Sequence, residues 1–197
     1  MLKKQAKVLS EQQIKAVMSY LENCPRNQLR NQIIFLLSLH GLRSKEIASL
    51  EISMLTDSTG ELATAISLQD KASKGLSGRV IPMNKTLREL LSQYLGERIV
   101  KSEQFAIVTE RSEKFSANAI TVFFKRLYLK IGFVGCSSHS GRRTFITTAA
   151  RKISHAGGSI KDVMSLAGHR NLSTTQRYID QNPEAQQILI KTLYRNL

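Results

Sequence analysis

The chain has 197 residues, enough for one domain with a core of its own or for two small ones. Hydrophobic residues make up 42% with no tryptophan, which predicts an aliphatic, mainly helical interior, while 29 Lys plus Arg against 15 Asp plus Glu leave a formal charge of +14 that favours a polyanionic partner. The longest apolar run, 33–37, is too short to span a bilayer, and two isolated cysteines, Cys24 and Cys136, exclude a disulfide framework or a zinc cluster.

Helical signals open the chain. Ser10 and Gln13 form a capping box ahead of Ile14, Val17, Met18 and Leu21, which share one helical face. Asn23, Cys24 and Pro25 break that helix, and a second is predicted over about 27–39, where consecutive apolar residues 33–37 mark a buried element. Gly41 stands where a helix ends, and Ser44 is the expected cap of a short helix carrying Glu46, Ile47 and Leu50. Three short strands are expected at 52–55, 62–68 and 79–83, separated by turns around Gly60 and over 74–78. Helices then resume. Leu87, Leu90, Leu91, Tyr94 and Leu95 mark one; Ala119, Ile120, Phe123, Phe124 and Leu127 mark another, with Ser116 as its cap. Further helices are expected at about 141–154, 159–166 and 183–194. The fold class expected is α+β, mainly helical, with a small three-stranded antiparallel sheet.

Six polar residues stand in restrictive local patterns. Arg43 follows Gly41 and Leu42 and precedes Ser44, Lys45, Glu46 and Ile47; Lys74 precedes Gly75 and, five residues on, Arg79, Val80, Ile81 and Pro82. His139 and Arg142 are one helical turn apart, so both reach one site. His169 ends the run Leu166, Ala167, Gly168, and nine residues later Tyr178 closes Ser173, Thr174, Thr175, Gln176, Arg177. Guanidinium groups stay charged and match two phosphate oxygens at once, so two arginines with a lysine and two histidines suit a phosphodiester. A tyrosine beside them suits a nucleophile, although a phenol ordinarily titrates near pH ~10 and needs cations or a base to activate it. Glu46, three residues after Arg43, is placed to orient it.

This constellation resembles the catalytic set of the tyrosine recombinases, the phage integrase family. The resemblance implies that Arg43 and Arg142 hold the scissile phosphate, that His139 acts as general acid or base, and that His169 hydrogen-bonds a non-bridging oxygen. It makes Tyr178 the nucleophile of a 3′-phosphotyrosyl link and Lys74 the proton donor to the leaving 5′-hydroxyl, with Lys71 as the competing lysine. No metal or other cofactor is implied. The partners implied are double-stranded DNA, further copies of the chain as a homotetramer on paired sites, and an accessory DNA-bending protein, with no membrane and a cytoplasmic, nucleoid-associated location. The family commonly has Leu and His around the second arginine where this chain has Gly141 and Arg143; the glycine is expected to loosen the helix start.

Residues 1–9 read as a short basic tail and 10–197 as the catalytic domain, without an N-terminal core-binding domain: either a single-domain member of the family or a fragment. The helix over 183–194, with Ile188, Leu189, Leu193 and Tyr194 on one face, packs either on a neighbouring copy or on its own domain. Arg143, Arg126 and Lys125 are candidate DNA contacts. Two alternative functions stand beside it: a non-catalytic DNA-binding regulator of the same fold, which has no use for Tyr178, and a relaxing enzyme of the type IB topoisomerase kind, which shares the phosphotyrosine chemistry.

Overall fold

The structure, a computed structural model, describes residues 5–73, 77–96, 103–178 and 192. Lys74 lies outside the described residues, as does the helix expected over 183–194 apart from residue 192. Among those described are eight α-helices and a two-stranded antiparallel sheet.

The capping box at Ser10 forms as expected, with Gln13 Oε1 accepting from the Ser10 N–H at 2.9 Å, and it opens α1 (Glu11–Glu22). Asn27 takes a left-handed conformation and starts α2 (Gln28–Leu39), whose residues 32–38 are buried. A helix apolar all round belongs at the centre of a core. It is packed by α1, by α4 (Lys85–Gly96) and by α6 (Ser140–Lys152). The short α3 (Ser44–Ala48) packs against α5 (Ala117–Lys130), which Ser116 caps through the Ala119 N–H. The main core collects Val17, Leu21, Ile33, Phe35, Leu37, Leu50, Leu87, Ile120 and Phe124.

The strands β1 (Ala65–Leu68) and β2 (Arg79–Pro82) pair with Ala65 opposite Pro82 and Leu68 opposite Arg79. The third strand expected at 52–55 is instead a 3-10 turn, Ile52–Met54. Ile52, Met54 and Leu55 are all buried, so the segment is not a half-buried strand with alternate residues outward. Only single bridges, Glu51 to Phe105 and Thr56 to Leu62, extend sheet-like pairing there. The cap of α3 also differs: Arg43 occupies that position and Ser44 is the first helical residue, its buried hydroxyl without a hydrogen-bond partner among the described residues.

A second, smaller apolar cluster positions the site. Ile146 of α6 meets Val163 and Ala167 of α7 (Ile160–Ala167), with Phe145, Ile153, Ile160 and Tyr178 around them. A capping box from Ser159 and Asp162 starts α7, and Gly168, at φ +60, ends it. The chain then enters α8 (Leu172–Gln176) directly. Thus α6 lies with one face on α2 of the main core and another on α7. Gly141 makes the first contact close: a Cβ there would stand 2.1 Å from Ser38 Oγ and 2.9 Å from Ser38 Cβ. The glycine therefore tightens the α2–α6 approach, correcting the expectation that it loosens the helix start.

Candidate active site

Three arginines from three elements converge on the C-terminus of α7. Arg79 of β2 donates from Nε to Leu166 O at 2.7 Å, Arg142 of α6 to Ala167 O at 2.7 Å, and Arg43 to Gly168 O at 3.4 Å. The last carbonyls of a helix lack partners within it and carry the negative end of its dipole, so cations belong there. Gly168 permits the approach: a Cβ on it would lie 2.7 Å from an Arg79 terminal nitrogen.

Glu46 is the counter-charge. Its Oε1 accepts from Arg43 at 2.6 Å and from Arg79 at 3.1 Å, while Oε2 accepts from Arg79 at 3.0 Å and from the Arg43 N–H at 2.8 Å. Burial pushes this carboxyl up, but the hydrogen bonds and charges of Arg79 and Arg43 outweigh it and hold the group below its ordinary range. The side chains of Glu46 and Arg79 are 1% and 4% exposed, whereas that of Arg43 keeps 34%. Arg79 is consequently a buried partner and Arg43 a guanidinium with a face to solvent. Three cations against one carboxylate leave the cluster two formal positive charges.

Arg142 is 6% exposed. It donates to Gly41 O and to Ala167 O, and it stands 2.9 Å from His169 Nε2. An arginine has only donors, so this nitrogen of His169 is the acceptor and the imidazole proton sits on Nδ1, which meets Thr175 Oγ1 at 2.9 Å. Burial, then the charges of Arg142, Arg43 and Arg79, lower the His169 imidazole to about 4 and keep it neutral. Burial, then repulsion by Arg43, lower Arg142 to about 10, still cationic at neutral pH.

Tyr178 stacks on His169, with ring centroids 5.9 Å apart at 23°. It lines a cleft of about 300 Å³ together with His139, Arg142, Arg143, Thr174 and Gln5. His139 is the N-cap residue of α6 and is exposed, its Nδ1 3.2 Å from Ser138 Oγ. A neighbouring cleft of about 490 Å³ contains Arg43, His169, Arg170 and Asn171, and Thr174 borders both. Arg43, Glu46, His139, Arg142, His169 and Tyr178 therefore gather around α7 and α8. Lys71, the competing lysine, donates to Glu51 at 2.6 Å, and Lys45 reaches the carbonyl of Ser73, the last described residue before Lys74. Of the candidate DNA contacts, Arg126 lines a separate groove between α1 and α5, while Arg143 lies beside Tyr178.

Sequence reading missed two residues here. Arg79, part of the strand run in sequence, completes the Glu46 pair; Thr175, in the run before Tyr178, accepts the proton that His169 carries on Nδ1. The need for a second cation at a buried Glu46 was the available signal for the first. No group of three or more His, Cys, Asp or Glu side chains suited to a metal ion occurs among the described residues. Among these residues, too, no helix is long and apolar enough to cross a membrane.

The model of the phage integrase family matches residues 7–185. The chain belongs to that family. This phage integrase family member is 30% identical over 175 residues to the tyrosine recombinase XerA of Pyrococcus horikoshii, covering 87% of the chain and 56% of that protein. It is 28% identical over 176 residues to the tyrosine recombinase XerD of Lacticaseibacillus casei, covering 86% and 57%. The chain thus spans a little over half the length of these relatives. Among solved structures, it is similar in fold to the XerA recombinase, with a TM-score of 0.71 at 23% identity over 100% of the chain and 66% of that one. The Tn1549 transposon integrase in complex with a circular intermediate DNA gives 0.77 at 18% identity, over 97% and 67%.

Proposed function

We propose that this family member is a site-specific DNA recombinase that cuts and rejoins double-stranded DNA through a 3′-phosphotyrosyl intermediate. What supports the reading most is one contact chain: Arg142 donates toward His169, and His169 is held by Thr175 and stacks on Tyr178. A phosphate clamp and a phenol are thereby tied to the same imidazole. The charge of +14 supports a DNA partner, and its affinity should fall steeply with salt.

In this reaction Tyr178 Oη attacks phosphorus as the P–O5′ bond breaks, and the phenolic proton passes to His139, at the mouth of the same cleft. The leaving 5′ oxygen takes a proton, the role proposed for Lys74, and departs as a hydroxyl. Arg43 offers its solvent-facing guanidinium to the non-bridging oxygens. Arg142 uses three of its five donors on Gly41, Ala167 and His169 among the described residues, which leaves two for phosphate. Fixed donors aimed at charge that develops in the transition state are effective because they need no reorganisation. The phosphotyrosyl link retains the phosphodiester energy, so a second 5′-hydroxyl can attack it and reseal the strand. Four copies on two paired duplexes would complete an exchange.

The test uses duplexes drawn from the DNA flanking the coding sequence and nicked near candidate sites, so that cutting traps the protein. Wild type should yield a denaturant-resistant protein–DNA adduct without added metal, and Tyr178→Phe should yield none while binding the same duplex as tightly. Tight binding with no wild-type adduct would favour the regulator. Relaxed plasmid without joined products would favour the topoisomerase-like enzyme.

A further inference from the structure

Arg143 has no part in the chemistry above, yet it stands beside its nucleophile. The Cζ of its guanidinium is 5.9 Å from the Tyr178 ring centroid, at the outer edge of cation–π range. A terminal nitrogen donates to Gln5 Oε1, while its Nε is buried with no hydrogen-bond partner among the described residues. A buried, unpaired donor costs stability, so other contacts must offset that cost and hold this arginine at the ring. What holds it is the segment 5–9. Leu9 N–H donates to the buried Thr144 Oγ1 at 2.8 Å and Lys7 N–H to Gly135 O at 3.2 Å, which lays this segment along α6 with Gln5 over Arg143.

We infer that Arg143 is a positioning residue for Tyr178, restraining the phenol together with the His169 ring on which it stacks, and that Gln5 orients Arg143 for this task. The inference rests on the recombinase reading for its consequence, the rate of cutting, but the placement of the ring can be measured without DNA.

Two measurements test it. Without DNA, tetranitromethane nitration mapped by mass spectrometry reads the accessibility of each tyrosine. Arg143→Met should raise nitration of Tyr178 on the order of five-fold, the factor that one cation–π contact supplies. The fully buried Tyr128 should stay protected and so report that the fold is intact. Should Tyr128 also react, Gln5→Ala replaces that variant, because it removes one hydrogen bond and leaves α6 untouched; a smaller rise at Tyr178 is then expected. On the nicked duplex that wild type cuts, Arg143→Met should lower the single-turnover rate of adduct formation at saturating protein by a similar factor with Kd unchanged. Arg143→Lys should restore part of the rate. Arg151→Met, which removes the same charge from an exposed site on the same helix, should cut at the wild-type rate. Unchanged nitration of Tyr178 would overturn the inference. So would a weakened Kd with an unchanged rate, which would make Arg143 a DNA contact. A wild-type protein that forms no adduct refutes the recombinase reading alone, since the nitration result stands by itself.

Discussion

His169 accepts a hydrogen bond from Arg142 through Nε2, 2.9 Å from the guanidinium, and so must be neutral and protonated on Nδ1. Protonating Nε2 would set two donors against each other beside three arginines. The arrangement ties the state of the site to pH.

Stability should therefore depend on acid in a defined window. The His169 imidazole is lowered from 6.5 to about 4 in the folded chain, so between those values the unfolded chain binds the proton more readily. Stability is full above about 6.5 and falls as pH drops toward 4. Glu46, whose carboxyl is also depressed, adds a second loss only below its ordinary value of 4.5. Urea midpoints measured between pH 7 and 4.5 should decline in wild type and decline less in His169→Gln, where His40, also lowered by burial, still contributes. Equal slopes for the two proteins would contradict the assigned tautomer.

The two arginines that share Glu46 should separate cleanly on substitution. Arg79 is buried, and removing one partner of a buried pair costs about 3 kcal/mol or more, so Arg79→Ala should lower the unfolding free energy by that amount. Arg43 is partly exposed, so Arg43→Ala should cost little stability but slow adduct formation on the order of 10²–10³-fold, as loss of a transition-state donor does. Denaturant curves and single-turnover rates on the two variants check this, and the reverse pattern would exchange their roles.

Close packing at Gly141 gives a third outcome. Gly141→Ala forces a methyl against Ser38 and should destabilise by about 1–3 kcal/mol, the usual cost of overpacking. Ser38→Gly is itself unfavourable within α2, yet the double variant should be more stable than the sum of the singles predicts. Strict additivity in that cycle would mean that the two residues do not meet.

Gly168→Ala should combine two costs. Its φ of +60 is disfavoured by a side chain, and the added Cβ meets Arg79, which cannot yield without leaving Glu46. A loss of about 1–2 kcal/mol is expected from the left-handed conformation alone. A slower rate should follow, because the carbonyls that hold the cluster move. Thermal unfolding and adduct formation of this variant measure both.

Much of this was legible in the sequence, for identifiable reasons. The capping box at Ser10, the glycine after α2 and the apolar face of α5 are local signals, and the helices formed where those signals stood. Spacing one turn apart put His139 and Arg142 on a common cleft. What was not legible depends on contacts distant along the chain. The alternation at 52–55 suits a strand as well as a buried 3-10 turn, and only the surroundings of Ile52 and Met54 decide. Arg79 lies 33 residues from Glu46 and looks like any other of the 29 basic residues until burial singles it out. Gly141 read as slack because a missing side chain says nothing about what approaches it.

The three arginines at the end of α7 also bear on how such a protein could decay. Each meets a backbone carbonyl of the segment leading to Tyr178, so losing the buried Arg79 or Arg142 harms the architecture itself. Tyr178 has no comparable duty at the centre of the fold. A lineage released from cutting DNA but still required to bind it would surrender the phenol first, and its arginines would persist as a record of the abandoned reaction.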